Sequence, residues 1–202
     1  MGFRTMRVAT CLAVCIALAA GGFAAPSRTK AAKTRQRAAN PSSSSLDNPS
    51  NNNVSNQVIR RGDQESSMVA LTFDDAPVAD TLPSLLALLR AENVKATFFL
   101  TGKNVELYPQ LARTIVADGH EAGNHSYSHR DLHRASAEVA EKEIAGTQKL
   151  IHDVVGTTST YFRPPFGNVS DEVKRICQRE GISIICWNVD PADWRKDTTR
   201  DS

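Results

Sequence analysis

The sequence predicts an α/β protein built around a parallel sheet, and three observations carry that prediction. From Met68 onward, short apolar β-prone runs recur, each bounded by turn residues. Between them lie amphipathic stretches with helical spacing. The strand runs read as apolar on both faces, the pattern of a sheet covered by helices on each side, whether open or closed into a barrel.

The elements follow in order. Met68–Phe73 reads as a buried strand, and Thr81–Glu92 ("TLPSLLALLRAE") as a helix. "KATFFL", 95–100, is a second strand, and Val105–Asp118 a second helix ended by Gly119. A short strand is expected near His120–Gly123. Ala135–Val155 is a long amphipathic helix opened by Ser136, with Glu138 and Glu141 in its first turns. "TYFRPPFG" reads as strand then turn, Asp171–Glu180 as helix, and "ISIICWNV" as strand. In such folds the chemistry sits at the carboxyl ends of the strands.

The first part of the chain has a different texture. Arg4 and Arg7 precede the apolar run Val8–Ala20, which is too short to span a bilayer comfortably, and Gly22 and Ala24 form a small-x-small pattern. A signal peptide over 1–24, cut after Ala24, and therefore export are expected; an uncleaved anchor is the alternative. Residues 25–66, with "NPSSSSLDNPSNNN", hold too little apolar surface to offset the entropy of ordering and read as a disordered linker. Residues 25–68 carry seven Lys/Arg against three Asp/Glu, whereas 69–202 carry fifteen against nineteen. A basic arm, suited to contact with an anionic cell envelope, thus precedes a mildly acidic domain at 67–202. The overall charge of +2 and the sparse aromatics argue against a nucleic-acid partner. Export would permit a Cys177–Cys186 bridge, although buried free thiols are the commoner outcome.

Four strand ends carry polar groups that a simple surface does not require. "LTFDDAP" ends the first strand in Asp74 and Asp75. Taken alone it reads as a strand cap, yet successive side chains on a strand point to opposite faces, so two adjacent carboxylates invite another explanation. "NHSYSH" sets His125 and His129 four apart, a spacing that on a helical turn puts both imidazoles on one face. Two imidazoles, one carboxylate from the first strand and an open position suit zinc. "RPPFG" places Arg163 after the next strand, where it would orient a nearby carboxylate, and "NVDPADW" adds Asp190, Asp193 and Trp194.

The order TFDDAP, HSYSH, RPPFG, DPADW resembles the polysaccharide deacetylase (NodB-homology) family, carbohydrate esterase family 4, over roughly residues 67–202. The resemblance implies a distorted, incomplete (β/α) barrel and metal-dependent removal of N-acetyl groups from N-acetylglucosamine polymers. It implies that Asp74 is the general base and that Asp75, His125 and His129 hold the metal. Arg163 would hold the base, and the Phe166 N–H would help bind the oxyanion. Asp193 would orient a catalytic acid, while Asp190 and Trp194 would line the sugar groove. The metal expected is Zn2+, with Co2+ or another first-row ion suited to the same ligands. The partner is an N-acetylated glycan, and the chain is expected to be a monomer.

Two departures from the family pattern stand out. Ala76 occupies a position that is usually glycine, so either the turn shifts or its geometry accepts alanine. No Leu-x-His motif, whose histidine would protonate the leaving amine, follows the Trp194 segment, and general acid catalysis is worth about 10²–10⁴-fold. The barrel is therefore expected to lack its last strands. The alternative function is a truncated carbohydrate-binding relative without turnover.

Overall fold

The computed structural model describes residues 57–195. The expected signal segment, the cleavage after Ala24 and the linker as far as residue 56 lie outside the described residues. Twelve elements follow one another: β1 Val58–Ile59, β2 Thr72–Ala76, α1 Leu82–Ala91, β3 Thr97–Leu100, α2 Gly102–Leu107, α3 Pro109–Ala117, β4 Glu121–Asn124, α4 Ala137–Val155, β5 Tyr161–Phe162, a 3-10 turn Pro165–Gly167, α5 Asp171–Glu180 and β6 Ser183–Ile185. The strands form one sheet in the order β1-β6-β5-β4-β3-β2, and every pairing is parallel. Among the described residues the sheet does not close, so β1 and β2 are its edges, as expected of an incomplete barrel.

Several elements depart from the sequence reading. Val58–Ile59 falls inside the stretch read as linker, yet it pairs with Ile184 and Ile185 of β6. Two residues are too few to show a period in a polar setting, and the edge of β6 makes them a strand. Met68 and Val69, read as buried strand, are exposed and precede β2. The single helix expected over Val105–Asp118 is two: Tyr108 leaves helical geometry, and Pro109, which has no N–H to give, opens α3. β6 is shorter than the apolar run that predicted it: its paired register covers Ser183–Ile185, and beyond it only the Cys186 N–H reaches β1, donating to the Ile59 carbonyl at 2.8 Å. Asp171–Glu180 matches its expected bounds, held by Ser170 at the N-cap and a left-handed Gly181 after the last turn.

Two apolar clusters hold the helices to the sheet. Phe73, Leu86, Phe98, Ile115 and Ile151 belong to one, with the Phe73 and Phe98 rings stacked at 5.0 Å. Ile144, Phe162, Val173, Ile176 and Ile184 belong to the other. Cys177 and Cys186 are buried and unbridged; burial, with Glu180, pushes the Cys177 thiol up to about 12.

At the amino end of the sheet, remote from the strand-end motifs, His120 is buried and its Nδ1 accepts the Ala96 N–H at 3.2 Å. Burial, with the nearby Lys95 charge, pushes this imidazole below its ordinary value. A histidine of this kind binds fewer protons folded than unfolded, so its contribution to stability is present at neutral pH. That contribution is lost as pH falls below the unfolded value of about 6.5. Protonation of Nδ1 would also set two donors against each other. The melting temperature of the wild type should fall more between pH 7.5 and 5.5 than that of His120→Gln. Equal falls would show that His120 carries no such linkage.

Candidate metal centre and active site

β2 answers the question raised by adjacent carboxylates. Phe73 pairs with Phe98 and Ala76 with Leu100, so β2 spends one more residue than β3 across the same interval. Asp75 sits in this bulge with φ 59°, and the extra residue re-aims side chains that a regular pleat would send to opposite faces. Ala76 is not among the residues with positive φ, so the irregular position is Asp75 and alanine fits where glycine was expected.

Asp74 is held by Arg163, whose Nη1 donates to Asp74 Oδ1 at 2.6 Å and to Thr72 Oγ1 at 3.0 Å. The guanidinium is 1% exposed. It also donates to the carbonyls of Ile185 at 3.4 Å and Cys186 at 3.5 Å, and it lies over the Phe99 ring with 4.0 Å to the centroid. A buried cation is tolerated only when paired and hydrogen-bonded, and here Asp74 is the counter-charge. One carboxylate oxygen is thereby tied, and the other, Oδ2, stands 3.9 Å from His125 Nε2.

The histidines lie on a loop after β4, and not on the helical turn on which their spacing would put both imidazoles on one face. Ser126 (φ 63°) and His129 (φ 54°) are left-handed, and this folding back brings the two rings to 4.9 Å. The Ser126 hydroxyl accepts the His129 N–H at 3.1 Å, and Asn124 Oδ1 accepts the Ser126 N–H at 3.0 Å. His125 Nδ1 is 2.7 Å from the Arg163 carbonyl. A carbonyl only accepts, so Nδ1 carries the hydrogen and Nε2 presents a lone pair. That Nε2 is buried with no hydrogen-bond partner.

This orphaned nitrogen tests whether the residues fit a metal, and they do. Ligand atoms of Asp75, His125 and His129 all lie within 4.8 Å of one another, with His129 Nε2 and Asp75 Oδ1 3.8 Å apart. Burial pushes the His129 imidazole below its ordinary value against the pull of Asp75, which favours the neutral form a metal requires. The Nδ1 hydrogen bond of His125 is the outer support that fixes a ligating ring.

Of the other expected residues, Phe166 is the one in ring contact with this cluster among the described residues. Phe166, left-handed at φ 60°, is 61% exposed and its ring meets His129 edge-on at 5.0 Å. Asp193 Oδ1 is buried without a partner. Burial raises this carboxyl above its ordinary value; its own backbone hydrogen bond opposes that rise, and the charge of Asp190 adds to it. Asp190 is exposed and accepts the Ala192 N–H at 2.8 Å, closing a turn and not capping a helix. Trp194 is 53% exposed. Among the described residues, no hydrogen bond or ring contact joins Asp190 or Trp194 to the metal cluster.

The sequence reading missed Trp187, which lies 5.7 Å from the Arg163 guanidinium carbon, and the buried polar face of α4. Ala140, Glu143, Ile144, Thr147, Gln148 and Ile151 are the buried positions of that helix. They follow helical spacing, so polar residues on the inward stripe were the available signal.

The fold and this strand-end cluster define a parallel α/β domain with two histidines and one carboxylate placed where they could hold a metal. The chain belongs to the polysaccharide deacetylase family, whose profile matches residues 61–185. It is 35% identical over 134 residues to a peptidoglycan-N-acetylglucosamine deacetylase of Bacillus cereus, covering 66% of this chain and 49% of that protein. It is 38% identical over 133 residues to the peptidoglycan-N-acetylmuramic acid deacetylase PdaC of Bacillus subtilis, covering 66% and 28%. Among solved structures, a wild-type CE4 family pseudoenzyme of Bacillus anthracis matches with TM-score 0.67 and 35% identity, covering 69% of this chain and 50% of that one. A mutant of a CE4 family pseudoenzyme with restored enzymatic activity matches with TM-score 0.67 and 37% identity, covering 69% and 52%. The chain thus spans about half or less of the length of these relatives.

Proposed function

We propose that this chain is an exported, zinc-dependent deacetylase domain that hydrolyses N-acetyl groups of N-acetylglucosamine-containing glycan, peptidoglycan or a chitin-like polymer. The observation that carries the reading is the division of labour between the paired aspartates. Asp74 is clamped by a buried arginine with one oxygen left over, while Asp75 joins two histidines whose free nitrogens converge. The relatives named as peptidoglycan deacetylases support the substrate class.

An amide is a poor electrophile and water a poor nucleophile at neutral pH. A zinc ion held by Asp75, His125 and His129 would supply Lewis acidity, polarising the carbonyl and acidifying water. Asp74 Oδ2 takes the proton from the attacking water, and Arg163 keeps that carboxylate aimed. The Phe166 N–H donates to the oxyanion as negative charge develops. Asp193, whose Oδ1 is buried without a partner, would orient the group that protonates the departing amine; that group is not among the described residues. The exposed Phe166 and Trp194 offer apolar surface to a sugar ring.

A second reading, glycan binding without turnover, is favoured by the match to a wild-type pseudoenzyme. Acetate release from N-acetylglucosamine oligomers separates the two. The full chain should release acetate, lose that activity on chelation and regain it with zinc. A folded, zinc-loaded chain that binds oligomers and releases nothing would establish the second reading instead.

A further inference from the structure

Glu143 is 7% exposed on the inward face of α4, among side chains that are otherwise mostly apolar or uncharged. Its carboxylate accepts three hydrogen bonds from a single loop. The backbone N–H groups of Tyr127 and Ser128 donate to Oε2 at 2.9 and 2.8 Å, and the Ser128 hydroxyl donates to Oε1 at 2.6 Å. That loop carries His125 and His129.

The loop has an unusual backbone to maintain. Ser126 and His129 are both left-handed, a conformation non-glycine residues resist, and two such residues within one short loop persist only where the surroundings over-determine them. Other parts of the fold fix the loop's carbonyls: Gly102 N–H donates to Ser126 and Lys103 N–H to Tyr127, each at 3.0 Å. Of the three amides between the two histidines, Glu143 takes those of Tyr127 and Ser128, and Asn124 Oδ1 takes that of Ser126. Burying a carboxylate is costly unless its oxygens are hydrogen-bonded, so Glu143 is compatible with this helix position only while the loop keeps its shape. The dependence is reciprocal, because the loop amides would be left without an acceptor if Glu143 were removed.

We propose that Glu143 is a positioning residue for the metal centre. It holds the His125–His129 loop so that both imidazoles present Nε2 to one ion together with Asp75. This rests on the metal reading of Asp75, His125 and His129. Glu143 lies outside the Asp75, His125, His129 ligand set, and its effect passes through the amides of Tyr127 and Ser128.

The test measures Zn2+ affinity of the full chain by competition with a chromophoric chelator, and the visible absorption of the Co2+-loaded protein. Glu143→Ala should weaken Zn2+ binding by about 10–100-fold, the range for outer partners of ligating residues. It should also alter the Co2+ bands at saturation. Glu143→Gln, which keeps an acceptor oxygen, should fall between Ala and wild type. Ile151→Val, which trims the same face of α4 within the apolar core, should lower the melting temperature while leaving affinity and bands unchanged. If Glu143→Ala matches Ile151→Val in all three measurements, Glu143 is merely structural and the proposal is overturned. Should Glu143→Ala fail to fold, Glu143→Gln and the exposed Ser128→Ala decide: wild-type affinity and bands in both overturn it. A wild-type chain that binds neither ion would overturn the metal reading itself, a separate failure from unequal or equal variants of a metal-binding chain.

Discussion

His125→Ala should abolish stoichiometric zinc binding. His125 is 1% exposed, and its Nε2 is the one ring nitrogen among the described residues that is buried without a hydrogen-bond partner. Its Nδ1 is spent on the Arg163 carbonyl, so the ring can neither turn away nor exchange its nitrogens without losing that bond. Alanine leaves Asp75 and His129 as a two-ligand remnant, short of the three protein ligands of catalytic zinc sites. The loss should exceed the roughly 10–100-fold typical of an outer-partner change. Titration against a competing chelator, with circular dichroism confirming the fold, measures it. A folded variant that still binds one zinc per chain would show that the ion sits elsewhere.

Asp74→Asn should remove turnover and spare the metal. The asparagine oxygen can still accept from Arg163 Nη1, so the side chain keeps its place, but an amide cannot take a proton from water at neutral pH. A loss of about 10²–10⁴-fold in kcat is expected for a positioned acid–base group. Zinc affinity should change little, because Asp75 supplies the ligating carboxylate. The substitution also strips a 1%-exposed guanidinium of its counter-charge. Removing one partner of a buried pair costs about 3–5 kcal/mol, and the retained hydrogen bond makes that an upper bound here. The melting temperature should therefore fall, and kcat must be measured well below it. Wild-type turnover in a folded, zinc-loaded Asp74→Asn would refute the base assignment. Loss of zinc together with turnover would instead make Asp74 a ligand.

The two variants separate roles that adjacent positions in the sequence leave merged. His125→Ala removes metal and turnover together, whereas Asp74→Asn removes turnover alone. If acetate release is absent from the wild type, the metal prediction still stands and the pseudoenzyme comparison gains weight.

Much of this architecture was legible before any coordinates. Apolar runs alternating with amphipathic stretches predicted the parallel sheet, because both periods are local and burial on both faces leaves strands almost uniformly apolar. Capping residues placed α5 at its observed bounds, since Ser170 and Gly181 act within one turn of the helix they end. The break between α2 and α3 was also readable, at Pro109, and was overridden by the helical spacing around it. Val58–Ile59 carried no comparable local signal, and its strand state comes from hydrogen bonds with a segment far along the chain.

The chemical identity of the site was determined by sequence: a carboxylate pair, two histidines four apart and an arginine, each at a strand end. Residue type sets what a side chain can ligate or protonate, and the strand-end rule sets which side of the sheet it occupies. Tertiary structure decided how these groups meet. The bulge at Asp75 turns two successive carboxylates into one site, and a doubly left-handed loop, not a helical turn, brings His125 to His129. Such backbone states are unfavourable for the residues that adopt them, so no local preference announces them. They exist because residues distant in sequence supply the hydrogen bonds that hold them: Asn104 at the Asp75 carbonyl, and Leu100, Gly102, Arg163 and Glu143 along the histidine loop.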